Sequence, residues 1–297
     1  MKITIASGKG GTGKTTLAAN LAVLLSNSAR QKHTVLADLD VEEPNSGIFI
    51  QGTTVHEQQV MKAIPRWIAE KCTFCNRCRD VCQFNAIAVL PQTVLIFPEL
   101  CHSCYACVGL CPEQALVMKD HHIGDLTHRK VNQLDFIEGK LNIGEQQAVP
   151  LISRTVDYAL AHFPDESVFL FDAPPGTSCP VIEAVKKADF VVLVSEPTPF
   201  GLHDLKLSVR TMRKTGKHFG VVINRHGLGN KDVEAFCHSE RVPVIGRIPN
   251  MPEIAQKYSW GELIIDIPEI KREMLHIIAR MEKLTGTLIS RSNAKAS

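Results

Sequence analysis

Residues Gly8-Lys9-Gly10-Gly11-Thr12-Gly13-Lys14-Thr15-Thr16 leave this chain the fewest options for a fold. The run 2–6 before them has the composition of a strand, and Leu17, Leu21, Leu24 and Leu25 after them recur at helical spacing. Strand, glycine-rich turn and helix, in that order, form the context of a phosphate-binding loop. The glycines let successive backbone N–H groups turn toward one point, where the helix N-terminus adds the positive end of its dipole. In such a loop Lys14 reaches the β- and γ-phosphates and Thr15 gives its hydroxyl to Mg²⁺. ATP and Mg²⁺ are therefore the expected ligands, with Gly8, Gly10, Gly11, Thr12, Gly13, Lys14, Thr15 and Thr16 forming the cradle.

Further along, apolar β-rich runs alternate with helical patterns, which predicts an α/β fold with a doubly wound, mostly parallel sheet. Residues 34–37 read as a strand ending in Asp38-Leu39-Asp40, and residues 168–171 as a buried strand ending in Asp172. Acids that leave a strand at the carboxyl edge of an open α/β sheet stand where ligands bind. Asp172 is placed to hold a water on Mg²⁺, whereas Asp38 and Asp40 can equally cap a turn. Residues 190–194, 219–223 and 244–249 read as three more strands, the second ending in Asn224-Arg225. Residues 130–141 read as a strand or hairpin closing at Gly139, and residues 146–163 as a helix. Ile270, Met274, Ile277, Ile278, Met281 and Leu284 mark one face of a C-terminal helix, read as a core face rather than a membrane anchor. Residues 290–297 read as frayed.

Residues 62–122 break the α/β rhythm, which divides the chain into 1–61, an insert 62–122, and 123–297. The insert carries Cys72-x₂-Cys75-x₂-Cys78-x₃-Cys82 and then Cys101-x₂-Cys104-x₂-Cys107-x₃-Cys111-Pro112, the bacterial ferredoxin run written twice. In that run three thiolates take three corners of one [4Fe–4S] cube and the fourth cysteine reaches the other cube. Cluster one is expected on Cys72, Cys75, Cys78 and Cys111, and cluster two on Cys101, Cys104, Cys107 and Cys82. Structural zinc and a disulfide knot are the alternatives; zinc sites space their CxxC pairs more widely, and disulfides do not suit a reducing compartment. Gln83 stands where the second run has Pro112, so the turn beside the fourth ligand of cluster two departs from the pattern. Thr73, Phe74, Ser103 and Tyr105 lie between ligands, to pack on the cubes or bond to sulfur. His121 and His122 at the insert's edge read as solvated.

Lys9, just after the first glycine of the loop, makes the run 9–15 resemble the deviant Walker A loop of the MinD/ParA family, which includes the nitrogenase iron protein. The resemblance extends through nearly the whole chain and implies several roles. Lys9 reaches the nucleotide of a partner subunit, so the chain is expected to form an ATP-dependent homodimer. Asp40 orients the attacking water and meets Mg²⁺ through water, as Asp172 does; Asp38 is a structural or Mg²⁺-linked acid. The Gly176 amide senses the γ-phosphate in switch II. Asn224 reads the adenine edge and Pro249 helps to wall the base. Cys179 stands at an offset from Asp172 that carries a bridging cluster ligand in the nitrogenase iron protein; a plain buried or reactive thiol is the alternative.

The insert falls between the two switches, so the leading expectation is an ATPase that couples dimer closure to electron transfer through two [4Fe–4S] clusters to an unidentified redox partner. The alternatives are a cluster carrier of the Mrp type, which would need a C-terminal Cys-x-x-Cys absent here, and a MinD/ParA-type positioning ATPase. The net charge of +2 favours neither nucleic acid nor an anionic membrane, and the insert has six Lys/Arg against five Asp/Glu, no strongly acidic face. No apolar stretch approaches the ~18 residues of a membrane span. With no basic-then-apolar leader in the first residues and ten cysteines read as metal ligands, a cytoplasmic location without stable membrane insertion is expected.

Overall fold

The computed structural model describes residues 1–27 and 33–287; the expected frayed tail, 290–297, lies outside them. Seven strands make the core of the sheet: β1 (Lys2–Ala6), β2 (Thr34–Asp38), β7 (Leu134–Leu141), β8 (Val168–Asp172), β9 (Phe190–Ser195), β10 (Phe219–His226) and β11 (Val244–Pro249). They pair in parallel, and two antiparallel strands, β6 (Leu116–Val131) and β3 (Thr53–Trp67), complete a nine-stranded sheet of order β11-β10-β9-β1-β8-β2-β7-β6-β3. The central strands are buried along their whole length, as expected when helices cover both faces.

One face carries α1 (Lys14–Ser26) and α9 (Pro268–Thr285), packed around Leu17, Leu21, Ile270, Met274 and Ile278. The other carries α4 (Ala148–His162), α5 (Cys179–Lys186), α6 (Pro199–Lys214) and α7 (Asp232–Ser239), packed around Leu151, Ile152, Val185, Leu205 and Val233. The apolar face of α9 is core from Ile270 to Met281, while Leu284 at its end is exposed, and among the described residues no helix is long and apolar enough to cross a membrane. A short α8 (Pro252–Ser259) links β11 to α9.

The ribbon β3/β6 places the cysteines. It pairs from Thr53↔Lys130 to Trp67↔Leu116 with register shifts between Thr54 and His56 and between Val60 and Met61, but β7 accompanies β6 only between Gly124 and Val131. Beyond Gly124 the two strands leave the sheet as a two-stranded stalk, and positions 62 and 122 fall inside it. At its tip sits a cysteine lobe with α2 (Arg77–Val81), α3 (Ala106–Gly109) and the hairpin β4 (Ile87–Leu90)/β5 (Thr93–Ile96). The Ile68 amide, bonded to Ala115 O at 2.8 Å, closes its base.

The hairpin expected to close at Gly139 closes instead at Asn132, whose φ of 54° supplies the left-handed turn between β6 and β7. Gly139 lies inside β7 for a packing reason: a Cβ there would meet Thr155 Oγ1 at 2.6 Å and Val41 Cγ1 at 3.0 Å. Thr155 is itself tied to Leu151 O at 2.9 Å on α4, so it has little freedom to give way. Gly139→Ala is expected to lower unfolding stability by about 1–3 kcal/mol, read as a fall in thermal midpoint; an unchanged midpoint would contradict close packing of α4 on β7.

Candidate functional site

The parallel strands present their carboxyl ends along one edge, and the sequence-predicted nucleotide residues gather there. β1 ends at Ala6 and the loop turns through Gly11 (φ 73°) and Gly13 (φ 91°) into α1. Gly13 is required twice over: its φ is left-handed, and a Cβ would fall on the side-chain amide of Asn224. Gly8 approaches α6 so closely that a Cβ would lie 2.6 Å from Asp204 O. No side chain caps α1, and its first turn carries no acid, so its N–H groups and dipole face the loop unneutralised. Lys14 and Thr12 are buried at the site, and Thr12 Oγ1 has no protein partner.

Three carboxylates meet this loop. β2 and β8 are neighbours in register, with Asp38 opposite Asp172, so their buried side chains share one corner. Asp38 accepts from the amides of Asp40 (3.0 Å), Asn45 (3.1 Å) and Ser46 (2.9 Å), and so ties the whole segment after β2 to the strand end. Burial raises its pKa to about 6 despite those amides. Burial, then the charge of Asp38, raises Asp40 to about 6 as well, with Lys14 pulling the other way. Asp172 is pushed up to about 8 by burial and then by Asp38, opposed by a hydrogen bond from Thr15 and by Lys14. Ser46 Oγ touches its Oδ2 at 3.4 Å, while Oδ1 is buried with no partner. An orphaned carboxylate oxygen beside the Thr15 hydroxyl is the donor pair a hydrated Mg²⁺ needs.

The switch residues are occupied by contacts within the chain. Gly176, at φ 100°, donates its amide to Ser7 O at 2.9 Å. Asn224 donates Nδ2 to Thr12 O at 2.7 Å, bracing the loop, and Pro249 ends β11 at the same edge. Lys9 forms an ion pair with Glu196, which also takes Arg225 Nη1 at 3.0 Å and Thr198 Oγ1 at 3.3 Å. Burial works against the Glu196 charge, yet Lys9 and Arg225 hold it below the ordinary carboxylate range. Glu196 and Arg225 are partners the sequence reading did not assign to Lys9; Glu196 leaves the end of β9 and Arg225 lies within the last turns of β10, so the shared strand edge is the only signal for them.

The lobe brings the eight spaced cysteines together in two cavities. Cys72, Cys75, Cys78 and Cys111 line one; Cys82, Cys101, Cys104 and Cys107 line the other. The two runs fold alike, residue for residue. Phe74, Asn76 and Asn85 in the first, and Ser103, Tyr105 and Gln114 in the second, all take positive φ between 50° and 64°. These left-handed residues wrap the backbone inward around each cavity. The amides of Ala86 and Ala115 donate to Cys82 Sγ and Cys111 Sγ at 3.3 and 3.2 Å, so Gln83 supports the same turn as Pro112. Phe74 stands edge-on to Trp67, and Ser103 Oγ donates to Ala63 O at 2.6 Å rather than to a sulfur. Burial, then the neighbouring Cys101 and Cys104, pushes the Cys107 thiol up to about 11. Among the described residues no three His, Cys, Asp or Glu side chains are gathered to hold a metal ion.

Cys179 is exposed at the start of α5, and Cys237 is buried. His121 and His122 are not simply solvated: they pair with Glu145 (2.5 Å) and Asp125 (2.9 Å).

The acid corner has a pH signature. Asp172 titrates near 8 in the folded chain against 3.8 for the free side chain, so the folded state carries an extra proton between those values. Stability of the nucleotide-free protein therefore falls as pH rises through that window. Asp172→Asn, measured by thermal denaturation without nucleotide or Mg²⁺, is expected to exceed wild type by about 1–3 kcal/mol at pH 8, the gap closing toward pH 4. A gap that widens with acidification would contradict this corner.

The chain matches the CobQ/CobB/MinD/ParA nucleotide binding domain over residues 3–264. An uncharacterized protein of Methanocaldococcus jannaschii is 29% identical over 276 residues, covering 88% of this chain and 98% of that protein. Ferredoxin-1 of Chlorobaculum tepidum is 33% identical over 57 residues, 17% of this chain and 92% of the ferredoxin. The septum site-determining protein MinD of Pyrococcus horikoshii OT3, solved with Mg-ADP, has the same fold, with a TM-score of 0.59 at 19% identity over 98% of this chain and 99% of that one. The phosphate loop, the parallel sheet and the match over most of the chain together make this protein a member of the CobQ/CobB/MinD/ParA nucleotide-binding family.

Proposed function

We propose that this protein is an ATP-hydrolysing iron–sulfur protein that dimerises around ATP and uses its nucleotide state to govern one-electron transfer to a partner protein. The observation that carries the reading is the pair of cavities, each lined by three cysteines of one run and the fourth of the other, on a stalk continuous with the nucleotide-binding sheet. The similarity of this segment to a ferredoxin, over nearly that protein's full length, supports it.

The residues present fit both groups. Mg²⁺ and phosphate meet the orphaned Asp172 Oδ1, the Thr12 and Thr15 hydroxyls, Lys14 and the free amides of the loop. Four thiols line each cavity, with burial raising the pKa of Cys78 and Cys107, and they fit an iron–sulfur core, whose positive irons would draw thiols to thiolates. Ligands of a cube stand at four separate corners, farther apart than ligands of a single ion. When bound, two [4Fe–4S] clusters would supply one-electron carriage.

The chain's own residues do the rest. Lys14 and the loop amides hold the β- and γ-phosphates and position the γ-phosphorus for in-line attack. Asp172, through water, and Thr15, through its hydroxyl, would hold Mg²⁺, which would offset the phosphate charge, and the burial of Asp172 favours a cation beside it. Asp40, partly neutralised by Lys14, aims the water. Asp38 spends its charge on three switch amides, which makes it a positioning residue. Lys9 acts across a homodimer only after leaving Glu196, and Gly176 meets the γ-phosphate only after releasing Ser7 O. Both exchanges make nucleotide binding a conformational event.

Protein purified without oxygen is expected to carry about eight irons per chain and, reduced with dithionite, two clusters by EPR. Cys111→Ser and Cys75→Ser should silence the same cluster although one residue belongs to each run. Zinc in place of iron, or one silenced cluster per run, would contradict the reading. Lys9→Ala is expected to cut ATP hydrolysis by about a thousandfold while ATP still binds the monomer; unimpaired hydrolysis would contradict action across a dimer.

A further inference from the structure

The two cysteine runs fold alike but meet different charges: the first carries Lys71, Arg77, Arg79 and Asp80, all exposed, where the second has only uncharged residues, and the second meets a buried ammonium. The residues before each run form equivalent turns: Cys72 N donates to Ala69 O and Cys101 N to Pro98 O, each at 3.1 Å. Pro98 O accepts a second bond, from Lys62 Nζ at 2.9 Å. Among the described residues no ammonium stands at Ala69 O. Lys62 is only 5% exposed, on the buried face of β3 between Val60 and Ile64, where alternation calls for an apolar side chain. Its other partner is also neutral: Gln147 Oε1, at 3.4 Å. Its ladder partner His121 meets a carboxylate, Glu145, which pairs with that ring rather than with Lys62 itself. A buried charge without a direct counter-ion is costly unless a charge of opposite sign lies near.

Gln147 connects this lysine to the nucleotide machinery. Its Nε2 donates to Glu99 O at 3.0 Å, so one side chain grips both Lys62 and the segment leading into Cys101. It occupies the N-cap position of α4, and α4 packs on α5 through Leu151, Ile152, Val181 and Val185. α5 follows directly on the Gly176 turn that touches Ser7 O.

We propose that Lys62 sets the reduction potential of the cluster on Cys82, Cys101, Cys104 and Cys107, and that Gln147 makes that potential answer to the nucleotide. The inference rests on the cluster reading above and names the residues that would regulate it. A cube with four thiolates is anionic, and one-electron reduction, by dithionite in the test, adds a further negative charge with no proton taken up. An ammonium bonded to the carbonyl beside Cys101 favours the reduced form of that cluster and leaves the other as an internal reference. Any shift of α4 moves Gln147, and with it the hold on Lys62 and on Glu99.

The test is an anaerobic EPR-monitored redox titration of the full-length protein, with and without Mg-AMP-PNP. Lys62→Met is expected to move one of the two potentials to a more negative value and leave the other in place, and Lys62→Arg to restore it. Gln147→Ala, which keeps the charge, is expected to remove the shift that Mg-AMP-PNP produces in wild type. Two clusters with unaltered potentials in Lys62→Met, or both potentials moving together, overturns the inference while leaving the iron–sulfur reading intact. Preparations of wild type without clusters overturn both.

Discussion

Asp38 and Asp172 lie side by side at the ends of adjacent buried strands, and the rest of the nucleotide site is arranged around that crowding. Two carboxylates in one dry corner cannot both stay charged without compensation. The chain answers each differently. Asp38 receives three backbone amides, which fixes the path of residues 40–46. Asp172 keeps one oxygen free and accepts from Thr15, in the first turn of α1, whose hydroxyl would also serve the cation. An acid held near protonation until a divalent cation arrives binds that cation with little competing structure to undo. The neighbouring contacts share this waiting character: Lys9 rests on Glu196, and the Gly176 amide rests on Ser7 O.

The second constraint is mechanical. An antiparallel ladder from Thr53 to Trp67 and from Leu116 to Val131, interrupted by two register shifts, carries the cysteine lobe, so the lobe is an extension of the sheet rather than a bead on a flexible linker. Half of that ladder is stiffened by β7 and half is not. Where the stalk leaves the sheet, Lys62 and Gln147 bridge it to α4, which replaces the missing strand with a contact that can change. His121 on Glu145 and Asn142 Nδ2 on His122 O brace the same stretch of the stalk, so the arm is tied at its base to the segment that leads into α4.

Much of this was legible in the chain. Phosphate-loop glycines and the CxxC runs encode their geometry over a few residues, and Asp172 is marked by the buried strand that ends in it. What spacing cannot encode are partners brought together by topology. Lys9 and Glu196 stand 187 residues apart, and only the shared carboxyl edge joins them. The insert bounds 62 and 122 fall within the ribbon, whose outer strand β3 is almost wholly exposed over 53–59 and carries no buried alternation there to mark a strand. Gly139 carries no mark of its role in the sequence, because a glycine in a strand looks the same whether it bends the chain or makes room for Thr155. Lys62 carries a faint signal, a charge at an apolar position, whose meaning needs the contact to Pro98 O.

The central claim is that nucleotide occupancy is felt at the cysteine lobe through α4 and the stalk. Hydrogen–deuterium exchange of the anaerobic full-length protein, with and without Mg-AMP-PNP, tests it most directly. The expected result is altered exchange in residues 98–104 and 116–123, alongside the phosphate loop and residues 40–50. Exchange that changes only in the nucleotide site, with residues 98–104 and 116–123 unaltered, would contradict coupling between the two.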